Sequence, residues 1–324
     1  MKHKFKSAFA EDLASMIEMM QALGYASSTY MPRAMSLDAY CCQNHPTKDE
    51  LSEDVLMGWI SSGGNATGSI HAKVVFARGF ATYLRSIGKT AHMIADGYVS
   101  GRSMFVPYIF TDEELTNFFC KLDQYEDHRN PFFSTEMSLY FRMTYMCGLR
   151  PREGRILRRS DVDLGSGELR ILESKRHTSR IVVMSEDLCR ITRSYVILRD
   201  TAYPSSEYLF PDATGGLHTS SRVQNYFRRI FALSKPNVPK ELLPPVRVYD
   251  LRHRFATAVL NKWLDERKDL NSRIPYLQTY MGHRNKEATA YYVHLLPENL
   301  LKSAGIDWKE LNQLFPRAEL WEEK

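Results

Sequence analysis

Apolar positions recur at helical spacing through the first part of the chain. Phe9, Leu13, Met16, Ile17 and Met20 fall on one face, and Gly24 supplies a stop. Ser27 or Ser28 can cap a second helix that tolerates Pro32 in its first turn and runs to about Gln43. A third, short helix fits Leu51 to Ile60, ended by Gly63-Gly64. A fourth runs from Ser69 to Ile87, with Phe76, Phe80, Tyr83, Leu84 and Ile87 along one face. The pattern predicts a strand-free bundle of four helices in about 90 residues. From Ala95 to Tyr108 the periodicity breaks, with Gly97, Gly101 and Pro107 as punctuation, so a linker and a boundary near residue 105 are expected.

Beyond the linker the pattern becomes mixed. Thr111-Asp112-Glu113-Glu114 has the form of a capping box and opens a helix through Leu122. Ser134 to Cys147 reads as a helix stopped by Gly148, and Pro151 begins a short one through Leu157. Arg150 therefore stands at a helix–helix corner. Leu169–Glu173 and Arg180–Met184 are short β-rich runs, which puts Lys175 near the turn of a small hairpin. Helices are expected over Glu186–Arg199 and Thr219–Leu233. After a loop holding Pro236, Pro239, Pro244 and Pro245, Asp250 can cap the next helix, with Arg252 and His253 in its first turn. The free N–H groups of such a turn favour an anion. Ile274–Met281 and Lys286–Tyr292 give two more helices, and Trp308, Leu311 and Phe315 are helically spaced in the tail. The fold class is mainly α with a small β-sheet (α+β), in two domains: residues 1–105, and 106–324 with a C-terminal tail.

Composition narrows the function. The net charge of +5 permits a nucleic-acid partner without demanding one. The cations are unevenly spread, with ten Lys/Arg against five Asp/Glu over Arg142–Arg180 and eight against two over Arg222–Arg254. Lys73, Arg78 and Arg85 flank the apolar face of the fourth helix and are candidates for DNA contact, or for a plain solvent face. Five cysteines, two of them adjacent, form no Cys-x-x-Cys pattern, so neither a disulfide framework nor a zinc site is expected and a reducing cytoplasm is favoured. Cys120 and Cys147 sit in apolar helical patterns and read as core. No signal peptide and no apolar run long enough for a membrane span is read, and no membrane partner is expected. A Gly-x-x-x-x-Gly-Lys loop and a two-metal carboxylate cluster are both missing, which argues against an NTPase and a metal nuclease.

The remaining polar residues suit the transfer of a phosphodiester with no metal, nucleotide or other cofactor. Such a reaction needs a nucleophile, cations on the non-bridging oxygens, and an acid for the leaving oxygen. Arginine fits the second task, because its planar fork grips phosphate twice and stays charged. Lysine or histidine fits the third. A tyrosine can be the nucleophile, since its phosphate ester conserves the bond energy and leaves the step reversible.

In these motifs the chain resembles the tyrosine recombinases, or phage integrases, by motif over about residues 105–300 and by helical pattern alone over 5–90. Gly148-Leu149-Arg150-Pro151-Arg152-Glu153 looks like the family's first box, with Arg150 the first catalytic arginine and Glu153 its acidic companion. Lys175 stands where the family keeps its hairpin lysine, the general acid for the 5′ oxygen. Asp250-Leu251-Arg252-His253 looks like the second box, with Arg252 the second arginine and His253 an auxiliary residue. Gly282-His283 looks like the Gly-His that follows, with His283 a phosphate donor. Tyr292, nine residues after His283 and two before His294, matches the terminal Tyr-x-His and is the expected nucleophile, with Tyr291 its competitor. One position departs: the family usually has histidine three residues before the second arginine, and here it is Tyr249. A phenol can donate a hydrogen bond there, but with a pKa of about 10 it is a poor base at neutral pH.

The resemblance implies a C-shaped clamp on double-stranded DNA. It pairs a helical, SAM-like core-binding domain with a catalytic domain. It also implies four protomers on two sites, alone or with partner recombinases, and a 3′-phosphotyrosine intermediate. No arm-binding domain is expected before the helical domain, and the altered second box favours a mobile-element integrase or transposase. The tail near Trp308, Leu311 and Phe315 is a candidate for docking on a neighbouring protomer or on its own domain. The alternatives are a non-cleaving DNA-binding homologue and a type IB topoisomerase, which would relax supercoils without strand exchange. Tyr249→His is expected to keep or raise cleavage, read as covalent adduct on nicked DNA. Abolition of the adduct would give Tyr249 a role of its own.

Overall fold

The computed structural model describes residues 5–25, 27–63, 67–98, 107–127, 130–172 and 179–283, together with Thr289 and Tyr292. The chain forms two compact units, Met1–Val106 and Pro107–Lys324. The first is built from α1 (Ala10–Ala22), α2 (Ser27–Asn44), α3 (Glu53–Ser61) and α4 (Thr67–Ser86). Their apolar stripes meet in one core that includes Leu13, Ile17, Leu37, Leu56, Trp59 and Phe80. Trp59 sits edge-on to Phe76, its ring centroid 5.9 Å away, and its indole N–H donates to Ser36 Oγ at 3.1 Å, so the one polar atom of a fully buried side chain is satisfied. A single parallel bridge, Leu51 with Ala91, ties the chain after α4 to the start of α3.

The second unit is organised around α6 (Pro131–Met146), which packs against α5 (Asp112–Gln124), α8 (Glu186–Ala202) and α10 (Val248–Asp265). Its centre is aromatic: Phe227 of α9 (Ser220–Leu233) lies 4.9 Å from Phe118, 5.2 Å from Phe141 and 6.2 Å from Phe110. The capping box at Thr111 forms as expected, with Thr111 Oγ1 accepting from the Glu114 N–H at 3.1 Å and Glu114 Oε2 accepting from the Thr111 N–H at 3.0 Å. After the short α7 (Pro151–Arg155) comes an antiparallel sheet, β1 (Val162–Asp163), β2 (Glu168–Ile171) and β3 (Arg180–Val183), in that order. Leu169 pairs with Val182, and both are buried. A smaller apolar cluster joins α10 to α11 (Leu270–Met281) through Leu260, Ile274, Leu277 and Met281, and Tyr292 belongs to it.

Several local expectations are corrected. Asp250 does not cap α10: the helix begins at Val248, Arg247 is the residue before it, and Asp250 Oδ2 reaches back to accept the Arg247 N–H at 2.7 Å. Arg252 and His253 therefore sit one turn deeper than a cap at position 250 would put them. Cys120 is exposed, because the buried face of α5 carries Leu115, Phe118 and Leu122 and position 120 points the other way. Ile87 is exposed just past the end of α4. The tail around Trp308, Leu311 and Phe315 and most of the segment Lys286–Tyr292 lie outside the described residues. Among the described residues no helix is long and apolar enough to cross a membrane.

Truncating Phe227 would leave a void between three aromatic rings. Phe227→Ala is expected to destabilise the second unit by about 3–5 kcal/mol, read as a lower urea midpoint for loss of hydrogen-exchange protection in α6.

Candidate active site

The site forms where three chain corners meet. The first is the turn after α6. Gly148 has φ +58°, and a Cβ there would lie 2.5 Å from Phe255 Cδ1, so glycine satisfies both the left-handed turn and the close approach of α10. The turn delivers Arg150 to the start of α7, where Glu153 Oε2 accepts the Arg150 N–H at 2.9 Å and Oε1 accepts from Arg150 Nη1 at 2.5 Å. The second corner is the end of α11. Gly282, at φ +63°, closes that helix with His283 N–H donating to Gln278 O at 3.0 Å. Its carbonyl accepts from Arg150 Nη2 at 2.6 Å. The third is the second turn of α10, which carries Arg252 and His253.

Arg252 is wholly inaccessible to solvent. Its guanidinium donates to the carbonyls of Gly148 and Met281, thereby joining the first two corners, and Nη2 also lies 3.1 Å from His283 Nε2. Its Nε is buried with no hydrogen-bond partner. The nearest opposite charge is Glu153, at 4.0 Å. Sequence reasoning missed a third arginine. Arg180 opens β3, donates from Nη1 and Nη2 to the two oxygens of Glu153 at 3.0 and 2.7 Å, and from Nε to Tyr280 O at 2.8 Å. The signal was available in the strand alternation, which puts Arg180 on the same face as buried Val182.

The electrostatics follow from this crowding. Burial alone would raise the Glu153 pKa, but hydrogen bonds and charge from Arg180 and Arg150 overcome it and hold the carboxyl at about 2. Three guanidiniums thus face a single carboxylate, leaving two positive charges in excess. Both histidines are kept neutral. His283 is driven down to about 3 by burial and then by Arg252, Arg150 and Arg180, and His253 to about 4 by burial and then by Arg247 and Arg252. Because Arg252 can only donate, His283 Nε2 accepts from it. The ring proton therefore sits on Nδ1, which donates to Thr289 Oγ1 at 2.8 Å. Thr289 is a second residue the sequence reading did not single out.

Tyr292 is buried in this cluster, its hydroxyl 3.2 Å from His253 Nδ1. Burial raises its pKa, and the charge and hydrogen bonding of Arg252 pull the other way. The ring of His283 lies nearly parallel to that of Tyr292, 5.9 Å away, and His253 rests on the ring of Tyr249 at 4.9 Å. Beside Arg150 opens a cavity of about 480 Å³, whose lining includes Arg152, Arg155, Gln224, Arg247 and Tyr249. The structure thus brings together Arg150, Glu153, Tyr249, Arg252, His253, His283 and Tyr292. Lys175, Tyr291 and His294 lie outside the described residues.

The three cations expected on α4 have their head groups on their own unit's backbone. Lys73 Nζ donates to Trp59 O at 2.6 Å and to Ser62 O at the end of α3. Arg78 Nε donates to Ile94 O at 3.1 Å, and Arg85 Nε to Ala91 O at 3.0 Å.

A buried tyrosine hydroxyl among arginines is an arrangement that can serve transfer of a phosphate group. The phage integrase family matches residues 121–299, more than half of the chain, and the chain belongs to that family of tyrosine site-specific recombinases. A Sinorhizobium fredii protein named as an integrase/recombinase (y4rE) is 26% identical over 296 residues, covering 89% of this chain and 92% of its own. The tyrosine recombinase XerC of Chlorobaculum parvum is 24% identical over 269 residues, 77% of this chain and 76% of its own. Among solved structures, the XerH site-specific recombinase in a post-cleavage complex with palindromic difH substrate shares the fold. Its TM-score is 0.64 at 19% identity, over 94% of this chain and 85% of that one. The Tn1549 transposon integrase with transposon right end DNA does so at 0.63 and 14% identity, over 87% and 94%. The protein is a site-specific DNA recombinase of the family that cuts and rejoins DNA through a phosphotyrosine link.

The neutral histidines give the site a pH signature. In the unfolded chain both take a proton near pH 6.5, but in the fold only near 4 and 3. Between those values the unfolded state holds more protons, so stability falls as pH drops from about 6.5 toward 4. Glu153 adds acid loss only lower, below about 4.5. Buried Glu136, pushed up to about 7 chiefly by burial and hydrogen-bonded to His218 at 2.8 Å, acts in the opposite direction. A comparison of wild type with His283→Gln cancels that contribution. The variant's thermal midpoint is expected to fall less steeply between pH 6.5 and 4, measured by calorimetry at constant ionic strength.

Proposed function

We propose that the chain is the integrase or transposase of a mobile element, acting on double-stranded DNA in the cytoplasm as a tetramer on two sites, alone or with partner recombinases. Tyr292 is its nucleophile. Its oxygen attacks the scissile phosphorus, the bond to the 5′ oxygen breaks, and the chain is left joined to the 3′ phosphate. Arg150 and Arg252 hold the non-bridging oxygens, and Arg180 and Glu153 hold the arginines. His283 supplies a further hydrogen bond from Nε2 once Arg252 turns to the phosphate and the ring proton moves from Nδ1 to Nε2, with the Thr289 hydroxyl then donating to Nδ1. Lys175, by its place in the sequence between β2 and β3, is the proposed acid for the departing oxygen. Residues 107–324 carry the chemistry and residues 1–106 the core-site contacts, with Lys73, Arg78 and Arg85 as contributors to the basic surface.

The observation that carries this reading is the unbalanced charge. A phosphodiester brings one negative charge, and a second grows on its oxygens toward the transition state. The two positive charges left over at Glu153 are matched to that state rather than to the resting site. A non-cleaving homologue would gain nothing from burying three arginines on a single carboxylate beside a tyrosine hydroxyl, because each removal from water is costly.

The test is trapping on nicked DNA built from the ends of the host element. Wild type is expected to form a covalent adduct. Tyr292→Phe is expected to lose it entirely while binding the same DNA with unchanged affinity. An adduct that persists in the variant would move the nucleophile to Tyr291, and a wild type that forms none on any site would refute cleavage.

A further inference from the structure

The second box lacks its usual histidine, so something else must receive the proton of the nucleophile. Tyr249 cannot serve at neutral pH, since a phenol near pKa 10 holds its own proton. Among the described residues two imidazoles lie near Tyr292. His283 lies with its ring nearly parallel to that of Tyr292, inclined by 18°. Its Nε2 is engaged by Arg252 and its Nδ1 by Thr289. Both of these nitrogens are thus already engaged. His253 Nδ1 stands 3.2 Å from the phenol oxygen.

Resting on the assignment of Tyr292 as nucleophile, we propose that His253 is the base that takes the Tyr292 proton during strand cleavage, in place of the histidine absent at position 249. The geometry supports it twice. His253 lies one helical turn after Tyr249 on α10, and the Tyr249 ring packs against the imidazole at 4.9 Å. The phenol at position 249 thus braces the imidazole edge that faces Tyr292. In the step, the Tyr292 oxygen forms its bond to phosphorus, its proton passes to His253 Nδ1, and the phosphorus bond to the 5′ oxygen breaks. That oxygen takes a proton from the general acid, for which Lys175 is the candidate. On resealing, the imidazolium returns its proton to the phenolate.

The groups that face His253 set its strength as a base. On its own helix these are Arg247, Tyr249 and Arg252, and across from it Tyr292 and His283. Burial, and then the two arginines, keep it neutral in the free site, and with the ring proton on Nε2 the Nδ1 lone pair accepts from the Tyr292 hydroxyl. The phosphate then arrives with negative charge that grows as the reaction proceeds, offsetting those arginines and strengthening the base when it is needed.

The experiment compares wild type, His253→Asn and Tyr292→Phe on nicked DNA, reading binding, adduct formation rate and its pH profile. An asparagine oxygen falls near the position of Nδ1 and can accept from the phenol, but cannot carry the proton away. His253→Asn is expected to bind DNA as wild type does and to cleave about 10²- to 10⁴-fold more slowly at pH 7. Its rate should climb about tenfold per pH unit where the wild-type rate has levelled. Cleavage within a few-fold of wild type, or a slower rate with the wild-type pH profile, would overturn the proposal. If His253→Asn does not bind DNA, His253→Gln is read by the same two criteria. Loss of adduct in Tyr292→Phe with no effect at His253 defeats this inference alone. Adduct that survives Tyr292→Phe defeats the assignment beneath it as well.

Discussion

The carboxylate of Glu153 is the interaction on which the site depends. It accepts from Arg150 and Arg180 through both oxygens and stands 4.0 Å from Arg252. Each arginine belongs to a different part of the chain: the turn before α7, the start of β3 and the second turn of α10. Without that charge, three guanidiniums would be crowded together where the Arg180 side chain is only 8% exposed and Arg252 not at all. The repulsion would act on every element carrying them. Glu153 thus holds three parts of the chain together by what it touches.

The backbone completes what one carboxylate cannot. Arg150 donates to Gly282, Arg252 to Gly148 and Met281, and Arg180 to Tyr280. Helix ends leave carbonyls unpaired, and these arginines use the ends of α6 and α11 for that purpose. The chain turns at Gly148 and Gly282 are therefore part of the electrostatic design. A side chain at Gly282 would lie 3.2 Å from Arg180 Nη1 and 3.5 Å from Arg150 Nη1, within the space that lets guanidiniums reach its carbonyl.

How much of this was legible in the sequence depended on how local each feature is. The helices of the first unit followed from apolar spacing, and the capping box at Thr111 from residues three apart, because both are written in adjacent turns. The Arg150, Arg252, His283 and Tyr292 motif was legible because its members occur in order. Arg180 was only half legible: strand alternation pairs it with Val182, but its partner is 27 residues away and its inward direction depends on which sheet face is covered. Asp250 was misplaced by one turn because a capping residue and the third residue of a helix look alike in sequence. Cys120 was misread because an apolar run does not say which face is buried. The α4 cations Lys73, Arg78 and Arg85 read as surface charge, but loops that end beside them supply carbonyls that no spacing rule reveals.

At position 249 the departure from the motif is answered by the role proposed for His253. A motif records the residues that usually do a job, whereas the chemistry requires only that a lone pair stand near the phenol when its proton leaves. In α10, residue 253 lies one turn along the same face as residue 249, so an imidazole at either place can approach the same oxygen. His253 already occupies that place, with Nδ1 at 3.2 Å from the Tyr292 hydroxyl and its ring packed on Tyr249. A histidine at 249 would add a third imidazole, beside His253 and His283, to a pocket that already carries excess positive charge. Protonating it would add to that excess, whereas a phenol at 249 stays uncharged.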